Sequence, residues 1–313
     1  MKIMKRPKKN GYNRYTIQAL LLTLLALIAY QASSSGVFNK AFKSGLFQKV
    51  KEATSDLEVH FLDVGQGDCI LLMCEGEAML IDAGENDAGQ EVVDYLEYQN
   101  LDKLEYIVAT HPDSDHIGGM DNVLKNIECD EIFMTDDKKD TKTYEEVIDI
   151  IEDKDIKVNE PEVNESFELG CSMVTIIAPV KNNEDVNNNS IVLKVTHGAE
   201  SFLFTGDAEI QEMTQIIDSG ADVSANVYKA AHHGSRTAVE EQFLNEVNAE
   251  FAVISCGEGN SYGHPHADAL LYLHENNIAT FRTDEQGTIV AISDGEGITW
   301  NCSPSESWQS GDR

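Results

Sequence analysis

The alternation of apolar and polar residues predicts short strands near the start of the folded part of the chain. Apolar and polar positions alternate in LEVHFLDV, which begins at Leu57, and the apolar run CILLMC follows after Gly65-Gln66-Gly67. This pattern predicts two strands that meet at a tight glycine turn. A third strand is predicted at 78–81, and it ends at Asp82-Ala83-Gly84.

Helical and strand-like patterns continue to alternate along the rest of the chain. Helical spacing of apolar residues predicts helices near 89–100, 122–127, 144–151, 209–218, 239–247 and 267–276. Further strands are predicted near 104–109, 131–134, 172–178, 190–196, 201–205, 227–231, 251–255, 279–282, 288–293 and 298–301. This order predicts an α/β protein with two mixed β-sheets flanked by helices, rather than a doubly wound parallel sheet.

The chain begins with a basic segment that leads into an apolar one. The first fifteen residues contain six lysines and arginines and no acidic residue, and an apolar run follows at 17–32. This order is typical of a signal peptide or an uncleaved signal anchor, and the positive-inside rule places the remainder of the chain outside the cytoplasm. We therefore expect an extracytoplasmic protein that is either anchored to the membrane by one N-terminal segment or secreted.

These patterns divide the chain into five parts. They are a basic region at 1–15, a signal peptide or signal anchor at 16–32, a linker at 33–55, a main folded domain at 56–301 and a polar tail at 302–313. The main domain is large enough to bury a substantial hydrophobic core.

The charge of the chain restricts its partners. The protein has 23 basic and 55 acidic residues, and beyond the first fifteen positions 17 basic residues face all 55 acidic ones, a net charge of −38. Such a surface repels polyanions and attracts metal ions. It disfavours nucleic acid as a partner, and no stripe of Lys and Arg interleaved with aromatic residues is present to hold a strand.

The six cysteines show no metal-binding spacing. Cys69, Cys74, Cys129, Cys171, Cys256 and Cys302 include no CxxC pair, and several lie inside apolar runs. They are interpreted as small core residues. One or two disulfides would suit an oxidising exterior, but the sequence alone does not pair the cysteines.

The densest group of chemically active residues follows the predicted strand 104–109. In THPDSDHIGG, His111, Asp113, Asp115 and His116 fall within six residues. Imidazoles and carboxylates at this density suit a divalent-metal site, and a loop at a strand end places them where a substrate can reach. The alternative is a solvated acidic loop in which Asp113 or Asp115 caps a helix.

Three further segments place histidine or aspartate at a strand end. Asp207 follows FLFTG, His232 and His233 follow KAA, and His264 and His266 lie in GHPH. Each segment is weak evidence by itself, because an acid after a strand is often a helix cap and a lone histidine is usually structural. Together with the first loop, they predict that four strand ends converge on one active centre.

These motifs resemble a known family. HPDSDHIGG, FTGDA, KAAHHGS and GHPH, with HFLDVGQGDCILL and LIDAG, are similar to the metallo-β-lactamase superfamily, and most closely to the C-terminal hydrolase-like domain of ComEC competence proteins. The resemblance covers about 57–301 and implies an αβ/βα sandwich with two divalent metal ions, zinc or manganese, at one edge. It makes 56–301 a metallo-β-lactamase-like hydrolase domain.

The resemblance also implies a role for each candidate ligand. His111 would bind the first metal, Asp115 and His116 the second, and Asp207 both, while His232 or His233 would complete the shell. Asp113 stands where the usual family pattern has a histidine, and the next family histidine is missing from Asn187-Asn188-Asn189-Ser190. The first site is therefore richer in oxygen, which shifts its preference from zinc toward manganese.

The chemistry implied is hydrolysis by a metal-bridged hydroxide. Asp115 or Asp207 would orient the nucleophile, and His264 or His266 would protonate the leaving group. Ser235 would either bind a substrate oxygen or cap a helix.

We therefore expect an extracytoplasmic metal-dependent hydrolase, of the phosphodiesterase class and nuclease-like as in ComEC. The strong acidity favours an alternative with a short substrate, namely an envelope phosphorylcholine-type esterase or another ester or lactone hydrolase. A second alternative is a non-catalytic envelope binding protein whose loops hold metal only structurally. Membrane contact is expected through the N-terminal segment where it is not cleaved.

Overall fold

The structure, a computed structural model, describes residues 56–311. The predicted basic region, signal segment and linker at 1–55 lie outside the described residues. Between residues 56 and 311, no helix combines the length and the apolar character that crossing a membrane requires.

The described chain contains runs of consecutive strands as well as strands separated by helices. The strands are β1 Leu57–Phe61, β2 Ile70–Cys74, β3 Glu77–Ile81, β4 Lys103–Ala109, β5 Glu128–Met134, β6 Lys157–Asn159, β7 Ser166–Leu169, β8 Ser172–Ala178, β9 Val192–His197, β10 Glu200–Phe204, β11 Val227–Lys229, β12 Phe251–Ile254, β13 Ala279–Arg282, β14 Ile289–Ser293 and β15 Ile298–Trp300. The α-helices are α1 Gly89–Tyr98, α2 Ser114–Ile117, α3 Met120–Asn126, α4 Lys142–Asp153, α5 Ile210–Ser219, α6 Glu241–Val247, α7 Ala267–Glu275 and α8 Thr283–Gln286. Short 3-10 turns occur at Val186–Asn189, Ala231–Gly234 and Arg236–Ala238.

The strands form two mixed sheets. The first has eight strands in the order β15-β14-β1-β2-β3-β4-β5-β6, and the second has seven in the order β13-β12-β11-β10-β9-β8-β7. Pairing is parallel from β3 to β6 and from β10 to β13, and antiparallel elsewhere. The predicted sandwich of two mixed sheets flanked by helices is confirmed.

The two sheets pack face to face, and helices cover their outer faces. Phe61 and Met79 of the first sheet join Phe204 and Phe281 of the second in one buried cluster. Because side chains alternate across a strand, the opposite faces need their own cover. Helices α1, α3 and α4 pack on the first sheet, and α5, α6 and α7 pack on the second. With both faces buried, β2 is apolar at every position, ILLMC.

The last described residues lie against the second sheet. The Ser305 amide donates to Thr280 O (2.8 Å), the Arg282 guanidinium donates to Gln309 O (2.8 Å), and the Gly311 amide donates to Pro265 O (3.0 Å). The described part of the segment predicted as a polar tail is thus hydrogen-bonded to the second sheet and to the loop that contains GHPH.

One disulfide joins the two sheets. Cys74 at the end of β2 is bonded to Cys171 in the turn between β7 and β8, with a Cα–Cα distance of 5.8 Å. Cys69 and Cys256 are buried free thiols, and Cys129 and Cys302 are half-buried free thiols. The pairing that the sequence leaves open is therefore Cys74 with Cys171.

We expect the disulfide to be measurable as a difference in free thiols. Denatured protein should titrate four thiols before reduction and six afterwards. The double variant Cys74→Ser/Cys171→Ser should lose about 2–5 kcal/mol of unfolding free energy, since the bond closes a long loop of the unfolded chain. Cys129→Ser, which removes a free thiol, is the control. Six titratable thiols in unreduced protein purified from an oxidising compartment would contradict the pairing.

Candidate metal centre

The loop that follows β4 carries the first group of candidate ligands. β4 is buried and ends at Ala109, so the chain emerges at the edge of the sheet and turns directly into the short helix α2. This helix presents Asp115 and His116. Two glycines allow the loop to pack closely: a Cβ at Gly67 would lie 2.2 Å from Asp115 O, and one at Gly118 would lie 2.3 Å from Asn86 N. The glycine turn that the sequence indicated therefore positions the ligand loop.

Four side chains from three loops converge on one point. Asp115, His116, Asp207 and His233 each offer one ligand atom, and these atoms lie within 4.8 Å of one another. His116 Nε2 is 3.2 Å from Asp207 Oδ1, while His233 Nε2 is 3.3 Å from Asp115 Oδ2 and 3.5 Å from Asp207 Oδ2. Three of the side chains are buried, and Asp115 is partly exposed. We call these four residues the donor set; its open side is at Asp115.

Asp207 reaches the donor set through a tight turn after β10. Gly206 has φ +47°, and a Cβ there would lie 3.0 Å from Thr110 Cβ. The Asp207 amide donates to Ser190 Oγ at 3.1 Å, which holds the turn against the Asn-rich segment. The carboxylate is thereby directed at the ligand loop of the opposite sheet.

His233 reaches the donor set through an unusual backbone conformation. His232 (φ 48°) and His233 (φ 55°) both adopt the left-handed region, followed by Gly234 (φ 77°). For a residue other than glycine this conformation costs roughly 1–2 kcal/mol. Hydrogen bonds offset the cost: the His232 amide donates to Gly206 O (3.1 Å) and the Ser235 amide donates to His232 O (2.8 Å). The turn directs two consecutive imidazoles toward Asp207.

Asp82 orients His116 from behind. It accepts hydrogen bonds from the Thr110 amide (2.9 Å), the Thr110 hydroxyl (2.7 Å) and His116 Nδ1 (2.7 Å). All three residues are buried. Because Nδ1 donates to a carboxylate, the neutral ring keeps its lone pair on Nε2, which faces the donor set.

His233 is oriented in the same way. Its Nδ1 donates to Ser255 O at 3.0 Å, and Asp68 Oδ1 lies 3.3 Å away. Asp68 forms a fully buried ion pair with Lys229 of β11. Burial alone would raise the pKa of Asp68, but Lys229 and His233 lower it below the ordinary value. Asp68 is therefore a fixed negative charge behind the donor set.

The donor set fits a divalent cation. His116 Nε2, His233 Nε2 and Asp207 Oδ1 are buried and make no hydrogen bond with any residue between 56 and 311. Leaving such groups unpaired costs about 1–3 kcal/mol each, which metal coordination would offset. Nearby carboxylates raise the pKa of His116 and His233 well above the ordinary value despite burial, so the cluster attracts positive charge. Two imidazole nitrogens with two carboxylates suit zinc or manganese.

Of the two further residues predicted as metal ligands, His111 and Asp113, only His111 lies beside the donor set. His111 is buried, and its Nε2 makes no hydrogen bond within the described chain. Burial, followed by the neighbouring His116, lowers its pKa to about 3, so the ring is neutral and can ligate. Asp113 instead precedes α2 and forms an ion pair with Lys139. The structure thus brings His111 close to the donor set and directs Asp113 to a lysine.

The other predicted histidines form a rim on the opposite side. His232 is partly exposed, with Nε2 3.5 Å from Asp207 Oδ2 and Nδ1 3.1 Å from Glu209 Oε1. The His264 ring centre lies 5.5 Å from that of His232 and 5.9 Å from that of His233. His266 lies behind His264, at 4.8 Å between ring centres, and its Nδ1 accepts from the Arg236 amide at 3.0 Å.

The family follows from a comparison with known proteins. Residues 62–258 match the family described as "Metallo-beta-lactamase superfamily". The chain belongs to the metallo-beta-lactamase superfamily. The prediction that it is a metallohydrolase of this fold is thereby confirmed, and the donor set is the candidate metal centre of that fold.

Among metallo-beta-lactamase superfamily members, several curated relatives are competence proteins. ComE operon protein 3 of Bacillus subtilis is 26% identical over 255 residues, covering 75% of this chain and 33% of that protein. Recombination protein 2 of Haemophilus influenzae is 28% identical over 263 residues (82% and 31%), and competence protein ComA of Neisseria gonorrhoeae is 28% identical over 238 residues (72% and 31%). The chain spans about a third of the length of these relatives. The predicted resemblance to ComEC-family competence proteins is confirmed.

Two solved structures show a more distant similarity to this metallo-beta-lactamase superfamily chain. A metallo-beta-lactamase mutant from Cronobacter sakazakii has a TM-score of 0.40 at 13% identity, covering 54% of this chain and 75% of that one. CmlA, a diiron beta-hydroxylase from Streptomyces venezuelae, has a TM-score of 0.46 at 10% identity, covering 74% of this chain and 53% of that one.

Three residues of this metallo-beta-lactamase site were not assigned a role from the sequence. Asp68 and Asp82 lie in the motifs GQGD and LIDAG, where an acid within two residues of a glycine resembles an ordinary turn residue. Lys229 lies in the buried strand β11, and a lysine inside an apolar run is the signal that could have revealed it, because a buried lysine needs a charged partner.

Proposed function

We propose that this protein is an extracytoplasmic metal-dependent phosphodiesterase whose substrates are short nucleotidyl phosphodiesters. The observation that carries the proposal is the donor set, in which three of the four side chains are buried and the fourth, Asp115, is partly exposed to solvent. A structural metal site has every side closed, whereas a catalytic site keeps one coordination position accessible.

The residues around the opening suit a phosphodiester. When bound there, divalent metal ions supply Lewis-acid activation of a phosphoryl group and of water. The side-chain amide nitrogen of Gln66 lies 3.5 Å from His264 Nδ1, an arrangement that favours the neutral tautomer with its proton on Nε2. Burial, followed by His233 and His232, lowers the pKa of His264 to about 3, which keeps the ring neutral at physiological pH. Nε2–H can therefore donate a hydrogen bond to a substrate oxygen.

The relatives support a link with nucleotides. One relative is named a recombination protein and another a competence protein, and both names refer to processes that act on DNA. Because this chain spans about a third of their length, that link is part of the proposal. Charge limits the length of the substrate: 12 basic residues face 53 acidic ones between 56 and 311. A long polyanion would be repelled, whereas one or two phosphodiesters can be held at the metal centre.

The proposed location outside the cytoplasm has two supports. The N-terminal sequence has the basic and then apolar order that is typical of a signal peptide or signal anchor. The Cys74–Cys171 disulfide between the sheets suits an oxidising compartment, where such bonds form and persist.

A substrate panel tests the proposed function. Full-length protein loaded with Zn²⁺ or Mn²⁺ would be assayed on bis-p-nitrophenyl phosphate, a short single-stranded oligodeoxynucleotide, p-nitrophenylphosphorylcholine and a lactone. We expect metal-dependent turnover of the first two, and its loss in Asp115→Ala and His116→Ala. Preferred turnover of the choline ester or the lactone would favour the esterase alternative. Stoichiometric metal with no turnover of any substrate would favour the binding protein.

A further inference from the structure

The rim of the metal centre carries an exposed aromatic ring that the proposed reaction does not use. Tyr262 is 60% exposed, the highest value among the large apolar and aromatic side chains of residues 56–311. It is stacked on His264, with ring centres 5.7 Å apart and planes inclined by 17°. One face of the ring rests on the histidine and the other faces solvent.

Two ring-to-ring steps, each below 6 Å, connect Tyr262 to the donor set. The first runs from Tyr262 to His264 and the second from His264 to His233. Tyr262 is therefore connected to the donor set by neighbouring rings, on the side of the centre that His264 lines.

Side-chain and backbone hydrogen bonds hold the loop that carries Tyr262. Asn260 Oδ1 accepts from the amides of Tyr262 (3.1 Å) and His264 (3.0 Å), and Asn260 Nδ2 donates to Gly257 O (2.9 Å) and His264 O (2.6 Å). The Gly311 amide braces the loop through Pro265 O. A ring held in place before binding loses little entropy when a ligand stacks on it.

We propose that Tyr262 is a stacking platform for a nucleobase, which makes nucleotidyl phosphodiesters the preferred substrate class. This inference rests on the proposed function, because the platform serves the same metal centre. Stacking on an aromatic ring tolerates any base and needs no positive charge. It therefore provides affinity that this acidic surface cannot provide through phosphate contacts.

Two esters that share the same leaving group test the platform. Thymidine 5′-(p-nitrophenyl phosphate) carries a base, and methyl p-nitrophenyl phosphate does not. In Tyr262→Ala we expect kcat/KM for the thymidine ester to fall roughly 5- to 100-fold, mainly through KM, with the methyl ester unchanged. Tyr262→Phe should stay within about two-fold of wild type on both esters, because the ring is kept. Equal losses on both esters in Tyr262→Ala would overturn the proposal.

Tyr98→Ala is the matched control. Tyr98 is 56% exposed and lies at the end of α1. The start of that helix, Gly89, packs against Gly119 beside the ligand loop, so Tyr98 is at the far end. The Tyr98→Ala variant should leave kcat/KM unchanged for both esters. Metal content and thermal unfolding should be equal for all variants.

A binding measurement separates this inference from the proposed reaction. Calorimetry on full-length protein would compare a phosphorothioate tetrathymidylate with an abasic tetramer of the same charge. If wild type binds the tetrathymidylate more tightly than the abasic tetramer, and Tyr262→Ala loses this difference, the platform is supported. This holds even if neither ester is hydrolysed, and in that case only the proposed reaction fails. Two results would overturn the platform: equal binding of both tetramers by wild type, or stronger displacement of the tetrathymidylate by phosphorylcholine than by thymidine monophosphate. The substrate panel would still decide whether the protein hydrolyses phosphodiesters.

Discussion

Replacing Asp207 by asparagine is expected to lower kcat/KM for bis-p-nitrophenyl phosphate at least roughly 1,000-fold, equivalent to about 4 kcal/mol of transition-state stabilisation. The carboxylate faces His116 Nε2 at 3.2 Å and both His232 Nε2 and His233 Nε2 at 3.5 Å. An asparagine amide removes the negative charge that a cation needs between these rings. It also directs a donor at nitrogens that must keep their lone pairs.

Metal content distinguishes this effect from misfolding. Asp207→Asn should bind less metal per chain than wild type, with thermal unfolding in chelator close to that of metal-free wild type. Asp222→Asn is the control, because Asp222 is an exposed partner of Lys194. Full metal content and full activity in Asp207→Asn would show that the donor set is not the reaction centre.

The positions of most elements follow from local sequence patterns. The strand predicted at 251–255 is β12, Phe251–Ile254, and the helix predicted at 209–218 is α5, Ile210–Ser219. In both segments the apolar period matches the faces that are buried. The convergence of the four strand-end loops was likewise predictable, because apolar strands deliver their terminal residues to sheet edges.

The choice between neighbouring residues was not predictable from sequence. His232 and His233 are adjacent and chemically identical, and only the left-handed turn decides that His233 joins the donor set while His232 lies at the rim next to Glu209. Asp113 lies two positions from both His111 and Asp115 within the same loop, but it precedes α2 and pairs with Lys139 from a distant segment. Such long-range partners leave no local pattern.

The role of Asp82, which orients a candidate ligand, was likewise not predictable from the sequence. Its φ of 57° is typical of a turn residue, and the sequence pattern at LIDAG indicates only the end of a strand. Its function arises from Thr110 and His116, which lie 28 and 34 positions further along the chain. A buried carboxylate that accepts three hydrogen bonds is recognisable only in the folded protein.

Substituting Asp82 is therefore expected to weaken metal binding although Asp82 is no ligand in the donor set. Asp82→Ala removes the acceptor of His116 Nδ1 and of both Thr110 donors, so the ring loses its orientation. Loss of such a partner typically costs 10- to 100-fold in metal affinity, and we expect a fall of about that size. Two unsatisfied Thr110 donors should also reduce the unfolding free energy, by about 1–3 kcal/mol for each buried group.

Asp82→Asn isolates the tautomer of His116 from the loss of packing. The amide keeps the volume of the carboxylate, and its oxygen still accepts from the Thr110 amide. Its nitrogen, however, faces His116 Nδ1, where Asp82 Oδ2 lies at 2.7 Å in the native protein. An N–H donated to Nδ1 moves the ring proton to Nε2, the atom that faces the donor set. Asp82→Asn should therefore lose as much Mn²⁺ or Zn²⁺ affinity as Asp82→Ala while remaining closer to wild type in thermal stability.

Calorimetric titration of metal and ¹⁵N shifts of the His116 ring provide the two measurements. The ring shifts should report a proton on Nδ1 in metal-loaded wild type, and the Nε2–H tautomer in metal-free Asp82→Asn. Asp63→Asn is the control, since Asp63 also follows a strand but accepts from the Gly65 amide. Wild-type metal affinity in Asp82→Asn, with the ring in the Nε2–H tautomer, would mean that His116 does not bind the cation through Nε2. In that event coordination would have to come from the remaining three donors together with His111, whose buried Nε2 makes no hydrogen bond within the described chain and whose ring centre lies 4.1 Å from that of His116.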